Sequence, residues 1–108
     1  MDTKAFQVLK SLSLLYVEDD AATREELAMI LQPWVGQLHV ASDGLEGLAL
    51  FTANRPDIVV TDIQMKGMDG IALCERIAES NPELPVIVVT GFGSLEAAIR
   101  AIRAGAYD

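Results

Sequence analysis

Three carboxylates sit where apolar runs give out. Glu18 and Asp19 follow the run Leu12–Val17, and Asp62 follows Asp57–Thr61. Carboxylates gathered at one place repel each other, which raises at least one pKa unless a cation neutralises them, so a cluster of three favours a hard divalent ion. Magnesium suits such a site: it takes oxygen ligands octahedrally, keeps several waters, and is commonly held by one or two carboxylates plus a phosphate. On this reading Asp19 and Asp62 bind directly, Glu18 acts through a water, and the backbone carbonyl of Gln64 is a candidate third protein ligand. An aspartate beside the ion can attack a phosphoryl group to form an acyl phosphate, the ion offsetting charge on the transferring oxygens. Thr90, which ends the run Val86–Val89, has a hydroxyl that can donate to that group. Each residue also has a plainer reading. Asp62 can be a turn residue at a strand end, the acids at 18–20 can favour the positive end of a helix dipole, and Thr90 can bond to local backbone.

The acids converge only if the elements that carry them lie side by side. Four short runs rich in β-branched residues alternate with four segments of helical periodicity, the pattern of repeated βα units around a parallel sheet. After Leu12–Val17, a helix with Leu27, Ile30 and Leu31 on one face runs up to Pro33, and Thr23 and Glu26 have the spacing of a capping box. The second strand, Gln37–Ala41, gives way at Ser42-Asp43-Gly44 to a helix with Leu45, Leu48, Ala49 and Phe51 that stops before Pro56. Asp43 and Glu46 have N-terminal capping spacing. The third strand is nearly all apolar, as expected of a central parallel strand covered on both faces. Beyond the loop 64–68, Asp69 can cap a helix with Ile71, Leu73, Cys74 and Ile77 at helical spacing, ending at Asn81-Pro82. After Val86–Val89, Ser94 starts a last helix with Leu95, Ala98, Ile99 and Ile102 as its stripe and Gly105 as its end. In an open parallel sheet the ligand crevice lies beyond the carboxyl ends of the strands. A strand order 2-1-3-4 makes the first and third strands neighbours and brings Glu18, Asp19 and Asp62 together. Residues 1–11 are a lead-in, for which a frayed end is the expectation over a short extra helix.

Composition narrows the function further. The chain has 108 residues, 51% of them hydrophobic, which is enough for one core and too little for two domains. Eight basic residues against 16 acidic ones leave a net charge of -8, which argues against binding nucleic acid through its phosphates. Cys74 has no second thiol and no metal-ligand spacing around it, so it reads as a core residue in a reducing, cytoplasmic setting. No apolar run reaches the roughly 18 residues that span a bilayer, and no secretory pattern opens the chain. His39 is a lone histidine in a strand and reads as structural, and Arg100 with Arg103 reads as a solvated face.

The segments Leu14-Leu15-Tyr16-Val17-Glu18-Asp19-Asp20, 57–70 (DIVVTDIQMKGMDG) and 85–91 (PVIVVTG) closely resemble bacterial response-regulator receiver domains. The likeness covers nearly the whole chain after residue 11. It implies a flavodoxin-like doubly wound α/β sheet in a cytoplasmic module of a two-component phosphorelay, with a histidine kinase or phosphotransfer protein as partner. By motif, Glu18 and Asp19 correspond to the acidic metal-binding pair, Asp62 to the phosphoacceptor, Thr90 to the switch hydroxyl, and Gly91 to the small residue that leaves the site open. Such a domain catalyses only its own phosphorylation and dephosphorylation and is not otherwise an enzyme.

Two departures stand out. Lys66 occupies a loop position where the family usually has proline. The chain also ends at Asp108, where the family continues into a fifth strand, a Lys-Pro pair and a fifth helix, so residues 12–108 read as a receiver domain cut short, without its phosphate-binding lysine. An edge strand left open in this way invites pairing with a second copy, and a swapped homodimer is the lesser expectation. Three other functions compete. A receiver-like interaction module that is never phosphorylated is consistent with the absent lysine but not with the retained acids. A phosphohydrolase of the haloacid dehalogenase type needs a second carboxylic acid two residues beyond its nucleophile, where this chain has Gln64. A dinucleotide binder is weaker still, because no Gly-x-Gly-x-x-Gly follows the first strand.

Overall fold

The computed structural model describes residues 3–89, with side chains from residue 7 onward. The expectations for Thr90, Gly91, Arg100, Arg103 and the last helix lie outside the described residues. The elements are α1 (Thr3–Lys10), β1 (Ser13–Val17), α2 (Ala21–Leu31), a 3-10 turn (Gln32–Trp34), β2 (Gln37–Ala41), α3 (Gly44–Asn54), β3 (Ile58–Asp62), α4 (Gly70–Ser80) and β4 (Val86–Val89). The strands form a parallel sheet in the order β2-β1-β3-β4, the order expected from the sequence. The lead-in is helical rather than frayed, and Leu9 anchors it at 3% exposure. No helix among the described residues is long and apolar enough to cross a membrane.

Alternation along the strands sorts the apolar residues to two faces. Leu14, Tyr16, Ile58, Val60 and Val89 pack with Leu9, Leu31 and Val35 on one face. Leu15, Val17, Ala41 and Val59 pack with Phe51, Met65, Leu73 and Ile77 on the other. The central strand β3 is buried on both faces up to Thr61, which is why its sequence is so uniformly apolar. Asp57 ties the sheet at its opposite end: its carboxylate accepts from the Ser13 N–H at 2.8 Å, and its own N–H donates to the Ser13 carbonyl at 2.8 Å.

The helices show where hydrophobic periodicity misleads. Ile30, Leu45 and Ile71, expected on buried stripes, are exposed, as is Ala49, and Cys74 is only half-buried. In α3 the buried line runs through Gly44, Gly47 and Phe51, and in α4 through Gly70, Leu73 and Ile77. Leu45 and Ile71 stand one residue, about 100°, round from the first glycine of each line and so fall at its rim. Gly47 sets the approach of α3 to the sheet: a Cβ there would come within 2.9 Å of a Val17 methyl carbon.

The start of α2 also differs from expectation. Thr23 is not its N-cap; Asp20 is, accepting from the Thr23 N–H at 2.9 Å and from its hydroxyl at 2.6 Å. A carboxylate at the N-cap satisfies an orphan amide and faces the positive end of the helix dipole, which a Thr hydroxyl does less well. At α3 and α4 the expected caps hold, with Asp43 accepting from the Glu46 N–H and Asp69 from the Ala72 N–H, each at 2.8 Å.

Candidate functional site

The parallel register builds the site. Val17 pairs with Thr61 as the last matched residues of β1 and β3, so Glu18 and Asp62 come next, side by side at the carboxyl ends. Asp19 follows in the β1–α2 turn. Glu18, Asp19 and Asp62 each present a carboxylate oxygen within 4.8 Å of the other two. An open cleft of about 450 Å³ adjoins them, lined by Asp19, Ile63, Gln64, Met65, Lys66 and Asp69. The expected ligand Gln64 thus reaches the same cleft.

Each carboxylate of the cluster has one oxygen held by a backbone amide. Glu18 Oε2 accepts from the Asp20 N–H at 3.1 Å, Asp19 Oδ2 from the Lys66 N–H at 3.2 Å, and Asp62 Oδ1 from the Ile63 N–H at 2.8 Å. These bonds fix three side chains whose second oxygens have no hydrogen bond among the described residues. Three carboxylates gathered this closely offer the oxygen donors a hard divalent cation takes. The residues therefore fit magnesium.

Burial and charge set the electrostatics. Glu18 is 6% exposed, and that burial pushes its carboxyl above the usual range; the Asp20 amide pulls it down, and the charges of Asp62 and Asp19 push it up again. Bonds from the Thr23 hydroxyl and amide hold Asp20 below the ordinary value. Tyr16 lies fully buried two residues before Glu18, its phenol pushed well upward by burial and then by Glu18 and Asp62, and its hydroxyl has no hydrogen-bond partner among the described residues. Burial, and then the charge of Asp69, raises the Cys74 thiol, which favours its protonated form.

Three participants were not singled out from the sequence as parts of the site. Arg24 Nη1 donates to the Glu18 carbonyl at 3.0 Å, placing a cation behind the acids. Its signal was a basic residue in the first turn after an acidic triplet. Asp69, read only as a cap, also lines the cleft. The signal for the Lys66 amide was the lysine itself, standing where the family usually has proline, which has no N–H to donate. His39, on β2, pairs with Leu15 of β1 and does not join the acids.

Comparison with known proteins agrees with this geometry. Residues 14–108 match the response regulator receiver domain family. Over 95 residues the chain is 37% identical to response regulator MprA of Mycobacterium sp. (strain KMS), covering 88% of this chain and 41% of that protein. Over 96 residues it is 38% identical to the C4-dicarboxylate transport transcriptional regulatory protein DctD of Rhizobium meliloti, covering 89% of this chain and 21% of that one. The chain thus spans less than half the length of these relatives. Among solved structures, a response regulator receiver domain protein from Clostridium thermocellum is similar with a TM-score of 0.69 at 30% identity, covering 86% of this chain and 75% of that one. NtrX from Brucella abortus is similar with a TM-score of 0.69 at 35% identity, covering 88% and 22%. This chain belongs to the response regulator receiver domain family, the phosphoacceptor signalling modules of two-component systems.

Proposed function

We propose that Asp62 is the phosphoacceptor, receiving its phosphoryl group from a histidine kinase or phosphotransfer protein with Mg²⁺ held by Asp19, Asp62 and the Gln64 carbonyl and by Glu18 through water. The observation that carries this reading is the meeting of three carboxylates, each with one oxygen tethered by a backbone amide, at the ends of adjacent strands. A bound magnesium ion would neutralise charge on the transferring phosphoryl oxygens. The chain's own residues do the rest. The Ile63 amide holds Asp62 Oδ1, which leaves Oδ2 to form the new P–O bond as the P–N bond of the donor phosphohistidine breaks and the leaving imidazole takes a proton from solvent. Buried Glu18 and the Arg24 contact to its carbonyl keep the acid pair fixed behind the attacking oxygen. Thr90 would donate to the transferred group and Gly91 would leave it room, and the resulting change of shape is read by a partner.

Mg²⁺ and acetyl phosphate should add one phosphoryl group, stable to acid and labile to base, detectable by intact-mass spectrometry and lost in Asp62→Asn. Stoichiometric modification of that variant would sink the assignment. Turnover of added phosphate esters would favour a hydrolase instead.

A further inference from the structure

The cleft beside the three acids has one basic residue in its lining. Among the described residues that line it, Lys66 faces the charges of Asp19 and Asp69 as the single cation. Its backbone nitrogen lies 3.2 Å from Asp19 Oδ2, and the side chain starts one N–Cα bond, about 1.5 Å, further on. The four-carbon stem is therefore rooted at the acid cluster, and the space over Asp62 lies within reach of the ammonium. The residue is exposed, and its ammonium makes no ion pair among the described residues. The chain as a whole carries a net charge of -8, a field that repels a phosphoryl donor, itself an anion.

Resting on the reading of Asp62 as phosphoacceptor, we propose that the Lys66 ammonium is a specificity-determining group for the phosphoryl donor: it offsets the charge of the acids for an incoming phosphoryl dianion and takes no part in holding the metal. Proline, usual at this position in the family, carries no charge, so the ammonium is an addition of this chain to the cleft. A positive charge here attracts a phosphoryl dianion and repels a divalent cation, so its two effects have opposite sign. A purely structural role for Lys66 in the loop would instead make donor reaction and metal binding fail together.

Acetyl phosphate is the probe: an Asp62 oxygen forms a P–O bond as the acyl P–O bond of the donor breaks and acetate leaves. The second-order rate constant at saturating Mg²⁺ is followed by intact-mass spectrometry, and Mg²⁺ affinity is measured separately by calorimetry. Lys66→Ala should slow the reaction roughly five-fold at low ionic strength, the effect of one charge pair about 4 Å apart in water, while Mg²⁺ binds as tightly as in the wild type or more so. Lys66→Arg should keep the rate, Lys66→Glu should be slower than Lys66→Ala, and the differences should shrink at about 1 M salt, where charges are screened. Equal rates for Lys66→Ala and the wild type at low salt overturn the proposal, as does a slowing that persists undiminished at high salt or comes with weaker Mg²⁺ binding. Failure of the wild type to gain a phosphoryl group, or its gain by Asp62→Asn, removes the Asp62 reading and the proposal with it. A modified wild type beside an equally fast Lys66→Ala defeats the proposal alone.

Discussion

Gly70 lies directly against the main chain of Asp62: a Cβ on Gly70 would overlap the Asp62 carbonyl oxygen, and the Gly70 N–H donates to the Ile63 carbonyl at 2.9 Å. The first residue of α4 is therefore packed behind the proposed phosphoacceptor. Replacing it with any larger residue must move either the helix or the strand end. Gly70→Ala should destabilise the protein by about 2 kcal/mol, as overpacking at a close contact does, and should lower the yield of acyl phosphate from acetyl phosphate. Urea unfolding measures the first effect, and a midpoint equal to that of the wild type would show that the contact relaxes freely.

Glu18 predicts a pH dependence in the metal-free protein. Burial, followed by the charges of Asp62 and Asp19, raises its carboxyl in the folded state despite the opposing Asp20 amide. A group whose folded pKa is raised binds its proton more tightly in the fold, so its contribution is fully present below the unfolded pKa and is lost as pH rises through the folded one. Metal-free stability should thus fall as pH rises through and above the ordinary glutamate range. Glu18→Gln should flatten that slope and should be more stable than wild type at neutral pH without Mg²⁺, the gap narrowing as Mg²⁺ is added. Urea midpoints across the pH series, with and without Mg²⁺, check it.

Tyr16 has a fully buried hydroxyl with no hydrogen-bond partner among the described residues. A buried polar atom without a partner costs stability, while the ring itself fills core volume beside Leu14 and Val60. Tyr16→Phe should keep the packing and gain about 1 kcal/mol, read as a higher urea midpoint with an unchanged denaturant slope. A loss of stability would reveal a hydrogen bond made by the hydroxyl elsewhere.

Asp69 joins the site to the helix after it, capping α4 through the Ala72 N–H at 2.8 Å while lining the cleft. Asp69→Ala should cost about 1 kcal/mol, the usual value of an N-cap, whereas Asp69→Asn should recover most of it because the amide oxygen also accepts. Thermal unfolding of the three proteins tests the cap, and equal losses in both variants would point to the charge instead.

Much of the fold was legible in the residues because two signals agreed. β-branched runs of strand length marked β1 to β4, and Asp43 and Asp69, placed just before helical periodicity, marked two helix starts correctly. The acids at 18, 19 and 62 were legible as a cluster because parallel strands deliver their carboxyl ends to one side. The faces of the helices were less legible. Leu45 and Ile71 look like core residues to any hydrophobic count, yet the buried lines run through Gly44 and Gly70, which such a count ignores. Asp20 was read as a general contributor to the dipole rather than as the cap, because Thr23 three residues later offered a second plausible capping pattern.

Residue order alone showed that acids end two apolar strands, that the sheet is parallel, and that Asp62 stands at the head of a loop of receiver type. These are properties of residue order along single elements. The packed fold was needed to show that Glu18 and Asp62 are neighbours across the sheet, that each carboxylate has one oxygen tethered by a backbone amide, and that Asp19 is tethered by Lys66. Such bonds join backbone groups that every residue carries to side chains distant in the chain. They depend on how closely two elements approach, and no periodicity along either element records that distance.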